Sequence, residues 1–211
     1  MDNLLIIDLE GNKIKSPFPI SVTTHVNLTY VNLRNNSIYG ELPQNFASNL
    51  GQSNKLVYFD IGRNNMTGNL TLQSWEMINM TSGSLVLDFN KFTGEVPLGI
   101  LKTGAKLVYL NNNLLDDILL PPFDELAANM AVIDLSGNDV GGSLTFLKNI
   151  SRRDLQLRLV ETPICCPFNF SDGDIPYISM PQQCSGCFEI EGRFGHNCKC
   201  ERPLPPFEGV L

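Results

Sequence analysis

Short stretches in which apolar and polar residues alternate recur along residues 4–164 of this 211-residue chain. In each stretch, large apolar residues occupy alternate positions, which is the period of a β-strand that buries one face. A polar residue follows three positions after the last of these apolar residues. We call these polar residues the anchors; they are Asn12, Asn36, Asn64, Asn90, Asn113 and Asn138, with Thr162 in the same place of a degenerate seventh stretch.

Successive anchors are 23 to 28 residues apart, and each unit follows the pattern L-x-x-L-x-L-x-x-N-x-L with other apolar residues in place of some leucines. One such unit cannot bury its apolar face alone, so the core closes only when units stack. An anchor amide both donates and accepts hydrogen bonds, so it can satisfy backbone groups where the chain leaves each strand. The pattern predicts a solenoid of about six to seven turns whose strands pair in parallel.

Several units continue after the anchor with G-x-[L/V]-P or a close variant. These tails are Gly40-Glu41-Leu42-Pro43, Gly94-Glu95-Val96-Pro97, Gly68-Asn69-Leu70 and Gly142-Ser143-Leu144. The unit length lies within the range of about 20–29 residues typical of leucine-rich repeats. With these tails, residues 1 to about 150 resemble the plant-type leucine-rich repeat of receptor-like kinases and receptor-like proteins.

This resemblance implies an α/β-type repeat solenoid, a right-handed superhelix with a parallel β-sheet on its concave face. It also implies a second short strand in each tail. The fifth unit has Asp117 where glycine is usual. We therefore expect a local irregularity there, with a looser turn around Pro121-Pro122.

Side chains that point away from the core should line up in columns when the units stack. These columns lie two, four and six residues before each anchor, and units two to five place tyrosine, arginine and carboxylates in them. Tyrosine and arginine are frequent in binding hot spots, although such residues also occur on ordinary solvated strand faces, where aromatics pack across strands. The predicted ligand-binding residues are Tyr30, Asn32, Arg34, Tyr58, Asp60, Asp88, Tyr109 and Asn111.

Seven N-x-[S/T] sequons favour an extracellular or cell-surface location. A glycan on Asn35, one residue before its anchor, would shield one flank of the columns, so a ligand would approach nearer units three to five. The predicted glycosylation sites are Asn27, Asn35, Asn65, Asn69, Asn79, Asn149 and Asn169.

All six cysteines follow residue 164, which divides the chain into a solenoid over residues 1–164 and a cysteine-rich segment over 165–211. An even number of cysteines confined to one terminal segment is typical of a small, irregular disulfide-stapled cap. The predicted disulfide residues are Cys165, Cys166, Cys184, Cys187, Cys198 and Cys200, with the pairing left open.

Two alternatives for the cysteine-rich segment remain open. The stretch Gly195–Cys200, followed by Phe207-Glu208-Gly209, resembles part of an epidermal-growth-factor-like module, although its final cysteine is missing. Four of the cysteines could instead hold zinc, but thiolates oxidise in an extracellular setting. We therefore predict no metal and no cofactor.

Other features narrow the class of protein. The net charge of −7 and the absence of a basic run argue against a nucleic-acid partner. No apolar stretch is long enough to span a bilayer, and the N-terminus lacks a signal peptide. We therefore expect a fragment of a longer ectodomain that lacks its N-terminal cap and whose membrane tether, where present, lies in a missing C-terminal segment.

Catalytic motifs are absent from the sequence, including a Walker loop, a G-x-S-x-G elbow and an H-E-x-x-H pair. We therefore predict no enzyme activity. The favoured function is recognition of a protein or peptide ligand by the ectodomain of a cell-surface receptor-like protein. The alternative is a structural or adhesive wall or matrix protein without a discrete ligand.

Overall fold

The computed structural model of the protein describes residues 3–53, 55–80, 82–118, 128–141 and 155–162, together with three short strands further along the chain. The strands are β1 Ile6–Asp8, β2 Tyr30–Asn32, β3 Tyr39–Glu41, β4 Tyr58–Asp60, β5 Asn65–Asn69, β6 Ser84–Val86, β7 Lys91–Val96, β8 Leu107–Tyr109, β9 Leu114–Ile118, β10 Val132–Asp134, β11 Gln156–Arg158, β12 Ile178–Ser179, β13 Glu189–Ile190 and β14 Arg193–Phe194. The helices are α1 Phe46–Leu50 and α2 Leu98–Leu101, and 3-10 turns span Ile20–Thr24, Leu70–Leu72 and Trp75–Met77.

The repeating strands stack in parallel into one sheet. Among the described residues this first sheet has eight strands in the order β1-β2-β4-β6-β8-β10-β11-β12. Each unit pairs with the next at the same position of the repeat, so Tyr30 lies opposite Tyr58 and Asn32 opposite Asp60. Because the register is the same from unit to unit, equivalent side chains form straight columns across the sheet.

The tails form a second parallel sheet, in the order β3-β5-β7-β9 over the described residues. The second strand that the resemblance implies is therefore present. The pairing of β7 with β9 shifts register between Gly94 and Glu95, so that Leu115 and Asp117 face consecutive residues of β7. The irregularity predicted for the fifth unit is this shift, while Pro121 and Pro122 lie outside the described residues.

The core lies between the two sheets and the short helical segments that join them. In units two to seven, the apolar residues five and three positions before each anchor are at most 1% exposed. In the first unit, Leu9 is 40% exposed. The helical segments add Phe46, which makes edge-to-face contacts with Phe59 and Trp75 at centroid distances of 5.4 and 5.6 Å.

In units two to six, the anchors tie neighbouring turns together as predicted. The Asn64 Nδ2 group donates to Ile61 in its own unit and to Leu33 in the preceding one, at 3.0 and 2.9 Å. Its Oδ1 accepts the backbone N–H of Ile38 at 3.0 Å. Thr162 has one bond of this set, from its hydroxyl to the Leu159 carbonyl at 2.8 Å.

The residue before each anchor has a left-handed backbone, which the repeat pattern does not predict. Its φ angle lies between +50° and +67° in all seven units. Glycine adopts this conformation without strain, whereas other residues rarely do. The N–H of this residue donates to the next unit, as Arg63 does to the Asp88 carbonyl at 2.9 Å. The residues are Gly11, Asn35, Arg63, Phe89, Asn112, Gly137 and Glu161.

Several predictions lie outside the described residues. They are the disulfide residues, the sequons at Asn149 and Asn169, and the tail that begins at Gly142. Within the part of the chain that the structure describes, no helix is long and apolar enough to cross a membrane.

Candidate ligand-binding face

The candidate site lies on the face of the first sheet that points away from the core, which we call the outer face. Its side chains stand two, four and six residues before each anchor. In the six-before column, the rings of Tyr30 and Tyr58 stack with centroids 4.6 Å apart and planes 11° apart. We call this pair the tyrosine stack, and its position follows from the direct pairing of the two residues in β2 and β4.

An arginine crosses the sheet in the two-before column. The two terminal nitrogens of Arg34 donate to the two carboxylate oxygens of Asp88, Nη1 to Oδ1 at 2.7 Å and Nη2 to Oδ2 at 2.9 Å. Nη1 also lies 3.3 Å from Asp60 Oδ2. We call this set the Arg34 bridge. It links unit two to units three and four, and its two-pronged geometry is the strong form of an arginine–carboxylate pair.

A glycine makes room for the Arg34 bridge. Gly62 occupies the two-before column of unit three, between Arg34 and Asp88. A methyl group at this position would overlap both the Asp88 carboxylate and the Arg34 guanidinium. The ion pair between Arg34 of unit two and Asp88 of unit four therefore requires a residue without a side chain at position 62.

Asp60 is at the centre of the face and is 1% exposed. It accepts hydrogen bonds from the Tyr58 hydroxyl at 2.8 Å and from the Gly62 backbone N–H at 2.7 Å. Burial raises the pKa of the Asp60 carboxyl above its ordinary value, against the opposing effect of these donors and of Arg34. Burial, followed by the hydrogen bond to Asp60, also raises the pKa of the Tyr58 phenol, which keeps it a neutral donor.

Three of the predicted ligand-binding residues are buried. Asn32, Asp60 and Asp88 point away from the core as the alternation predicts, yet they are only 2%, 1% and 6% exposed. Longer side chains bond to the two carboxylates: Tyr58 and Arg34 contact Asp60, and Arg34 contacts Asp88. Asn32 is held by its own donor bond to Glu10 Oε2 at 3.0 Å.

A cavity of about 350 Å³ opens on this face. It brings together the predicted ligand-binding residues except Asn111, which does not line it. Three further lining residues, Glu10, Ser84 and Val86, stand in the same columns but are not among the predicted ligand-binding residues. The cavity is lined by Glu10, Tyr30, Asn32, Arg34, Tyr58, Asp60, Ser84, Val86, Asp88 and Tyr109.

The described sequons lie outside the three columns. Four of their asparagines are exposed, namely Asn35, Asn65, Asn69 and Asn79, and Asn27 is partly exposed. Asn35 lies on the flank of the outer face, among the left-handed residues. Two units of that flank are joined by a cation–π contact, with the Arg63 guanidinium 4.2 Å from the Phe89 ring centroid. Among the described residues, no group of three or more histidine, cysteine or carboxylate side chains could hold a metal ion.

Stacked units, a parallel first sheet and anchor residues that bridge adjacent turns are the features of a leucine-rich-repeat fold. The family model of the leucine-rich repeat matches residues 27–49, which include the second unit's strand and anchor. The comparison with curated proteins found no match.

Solved plant proteins share the fold. The extracellular part of the Arabidopsis receptor kinase HAESA, solved with the peptide hormone IDA and the co-receptor SERK1, is 26% identical with a TM-score of 0.61, over 77% of this chain and 26% of that one. PEPR1, solved with AtPEP1, is 25% identical with a TM-score of 0.65, over 78% and 22%. A plant ice-binding protein is 22% identical with a TM-score of 0.67, over 85% and 57%. The chain thus resembles plant leucine-rich-repeat receptor ectodomains but spans about a quarter of their length.

Proposed function

We propose that this chain is part of the extracellular ectodomain of a receptor-like protein and binds an extended peptide, or an extended segment of a protein, on the outer face. The observation that carries this proposal is the cavity, whose walls are the tyrosine stack and the Arg34 bridge. Two receptor ectodomains with this fold were solved with AtPEP1 and with a peptide hormone.

The walls of the cavity are held in place before any ligand arrives. Arg34 makes two short bonds to Asp88, and the Tyr58 hydroxyl is fixed on Asp60. Side chains that are already ordered lose little conformational entropy on binding, so more of the contact free energy remains as affinity. Tyrosine rings also provide large contact areas with few rotatable bonds. A rigid, aromatic and polar surface of this kind suits peptide recognition.

The flanking features complete the proposal. We infer that the sequons carry N-glycans, which would leave the columns of the outer face open and shield the flank at Asn35. We infer that residues 165–211 form a disulfide-stapled cap beyond the solenoid of residues 1–164. An extracellular location accounts for both the N-glycans and the disulfide bonds. The same setting and the receptor-like fold support a role in signalling at the membrane.

Peptide selection tests the proposed function. The secreted protein is immobilised and used to select from a phage library of random dodecapeptides, and the affinities of the synthetic selected peptides are measured by calorimetry. Tyr109→Ala removes an aromatic wall that makes no described hydrogen bond. We expect it to weaken binding at least tenfold, because truncating an aromatic hot-spot residue costs about 2 kcal/mol or more.

Tyr39→Ala is the matched control, since Tyr39 lies in β3 of the second sheet and is 42% exposed. This variant should bind as the unmodified protein does. Failure to select any peptide, or equal loss of binding in both variants, would contradict recognition at the outer face.

A further inference from the structure

The outer face has more carboxylates than guanidinium groups. In the described residues, its three columns hold five carboxylates and two guanidinium groups and no lysine. Both guanidinium groups already pair within the face, Arg34 with Asp60 and Asp88 and Arg158 with Asp134 at 3.4 Å. The face therefore has three carboxylates in excess. The carboxylates belong to Asp8, Glu10, Asp60, Asp88 and Asp134.

An opening lies in the fourth unit of this face. Ser84 follows Tyr58 in the six-before column, so a short side chain follows a long one there, and Val86 follows Asp60 in the four-before column. Both residues line the cavity. Tyr30 stacks on one side of the Tyr58 ring, and the other side faces the short Ser84. Tyr109 comes next to Val86 in the same column and closes the opening on its far side.

The opening is lined by apolar and by charged groups. Val86 and Asp88, each 6% exposed, lie at the bottom of the cavity, and Tyr58 and Tyr109 also line it. Asp88 is two residues further along the same unit, so its side chain is on the same face. Each of its oxygens accepts one bond from Arg34, and a carboxylate oxygen has a second lone pair for another donor.

We propose that this opening binds a lysine or arginine side chain of the peptide ligand, with its methylene groups on Val86 and between the two tyrosines and its cationic group against Asp88. This inference rests on the proposed function, because it names the residue that the outer face selects. A long basic side chain suits such a place, since its stem covers apolar surface while its charge meets a carboxylate and an aromatic face.

Charge complementarity favours the same occupant. A cation reduces the excess negative charge of the face, whereas an acidic side chain would increase it. Like charges brought together across an interface repel and so weaken the binding of wrong partners. The face should therefore discriminate strongly against acidic peptides, and less strongly against neutral ones.

The test extends the peptide selection described above. The dodecapeptides selected by the immobilised protein should share a lysine or arginine at one position. Synthetic versions with norleucine in place of that lysine, or citrulline in place of that arginine, should bind the unmodified protein at least tenfold more weakly. Norleucine keeps the four-carbon stem of lysine, citrulline keeps the length of the arginine side chain, and both remove the charge.

Two variants of the protein locate the effect. Ser84→Leu fills the opening without changing any charge, and Asp88→Asn removes the carboxylate; each should reduce the difference between the charged and uncharged peptides to less than threefold. Asp134→Asn is the control, because it removes an outer-face carboxylate two units away and should leave the difference unchanged. If Asp88→Asn unfolds the protein by releasing Arg34, Ser84→Leu still decides the question.

The outcomes separate the two proposals. Peptides that need Tyr109 but show no requirement for lysine or arginine, or that need an apolar or acidic residue instead, overturn this inference and leave the proposed function intact. The inference is also overturned if the Ser84→Leu variant still binds the charged peptides at least tenfold more tightly than the uncharged ones. Selection of no peptide, or of peptides indifferent to Tyr109→Ala, contradicts the proposed function itself.

Discussion

At the scale of single residues, the outer face depends on one position without a side chain. Gly62 does not have the left-handed φ that usually explains a glycine. Its role is instead to leave space, because Arg34 must pass over unit three to reach Asp88 in unit four. Sequence gaps of 26 and 54 residues separate Arg34 from Asp60 and Asp88. Stacking two further turns on unit two is what brings the three charges together.

Gly62→Ala should separate Arg34 from Asp88, since the added methyl group occupies the path of the guanidinium. The nearly buried Asp88 carboxylate then loses its partner. We expect the free energy of unfolding in urea to fall by about 1–3 kcal/mol, the usual range for a buried polar group left unpaired.

Gly141→Ala is the matched control, because a methyl group there would meet no atom of the described residues within 4 Å. Its effect should stay within about 0.5 kcal/mol, as for most surface substitutions. Equal urea midpoints for Gly62→Ala and the unmodified protein would show that the Arg34 bridge contributes nothing to stability.

At the scale of the repeating unit, the anchors hold the turns in register. Asn90 is buried, and its Nδ2 donates to the carbonyls of Leu87 and Asp88 in its own unit and of Ile61 in the preceding one, between 3.0 and 3.3 Å. Its Oδ1 accepts the backbone N–H of Met66. An asparagine is suited to this place because its short amide carries both donors and an acceptor.

Asn90→Ala should be strongly destabilising, because it leaves the Met66 N–H and several carbonyls buried without this partner. We expect a loss of about 3 kcal/mol in the free energy of unfolding, from more than one buried polar group left unpaired. Hydrogen exchange of the Met66 amide should accelerate in the same variant.

The same substitution at the first anchor provides the comparison. Asn12 is exposed, and among the described residues it donates to the Leu9 and Glu10 carbonyls, both in its own unit. Asn12→Ala should therefore cost less than about 1 kcal/mol. If both variants lost the same free energy of unfolding, the hydrogen bonds between units would contribute no more to stability than those within a unit.

At the scale of the whole molecule, the core is continuous along the stack and each turn contacts mainly its neighbours. Among the described residues, its largest aromatic group joins units one to three. Phe46 is completely buried and contacts Phe18, Phe59 and Trp75. Trp75 is the only tryptophan of the chain, and its Nε1–H donates to the Leu70 carbonyl at 2.7 Å. Its fluorescence therefore reports on this part of the stack.

Phe46→Ala should lower the free energy of unfolding by about 3–5 kcal/mol, the usual cost of removing a buried phenylalanine. The Trp75 emission should shift to longer wavelength at a lower urea concentration than in the unmodified protein. Leu72→Ala is the control, because Leu72 is 69% exposed and its loss should leave the transition in place. An unchanged midpoint in Phe46→Ala would show that the aromatic group does not hold these turns together.

The sequence alone determined the repeating unit, the strand in each unit, the role of the anchors and the columns of the outer face. Each of these follows from a local period, and repetition makes a weak local signal strong. Seven of the eight predicted ligand-binding residues line one cavity for this reason. Parallel pairing in constant register turns equal positions along the chain into neighbours in space.

Only the tertiary structure decided which side chains of these columns are buried, which pair with one another and where an opening remains. In the folded chain, Asp60 is buried and bonded to Tyr58 and Arg34. The absence of a side chain at Gly62 leaves space for the ion pair between Arg34 and Asp88. An opening remains beside Ser84 and Val86. These features depend on the lengths and directions of side chains from different turns, and no local period contains that information. The left-handed residue before each anchor was missed for a related reason, since five of its seven occupants are not glycine and their conformation is imposed by bonding to the next turn.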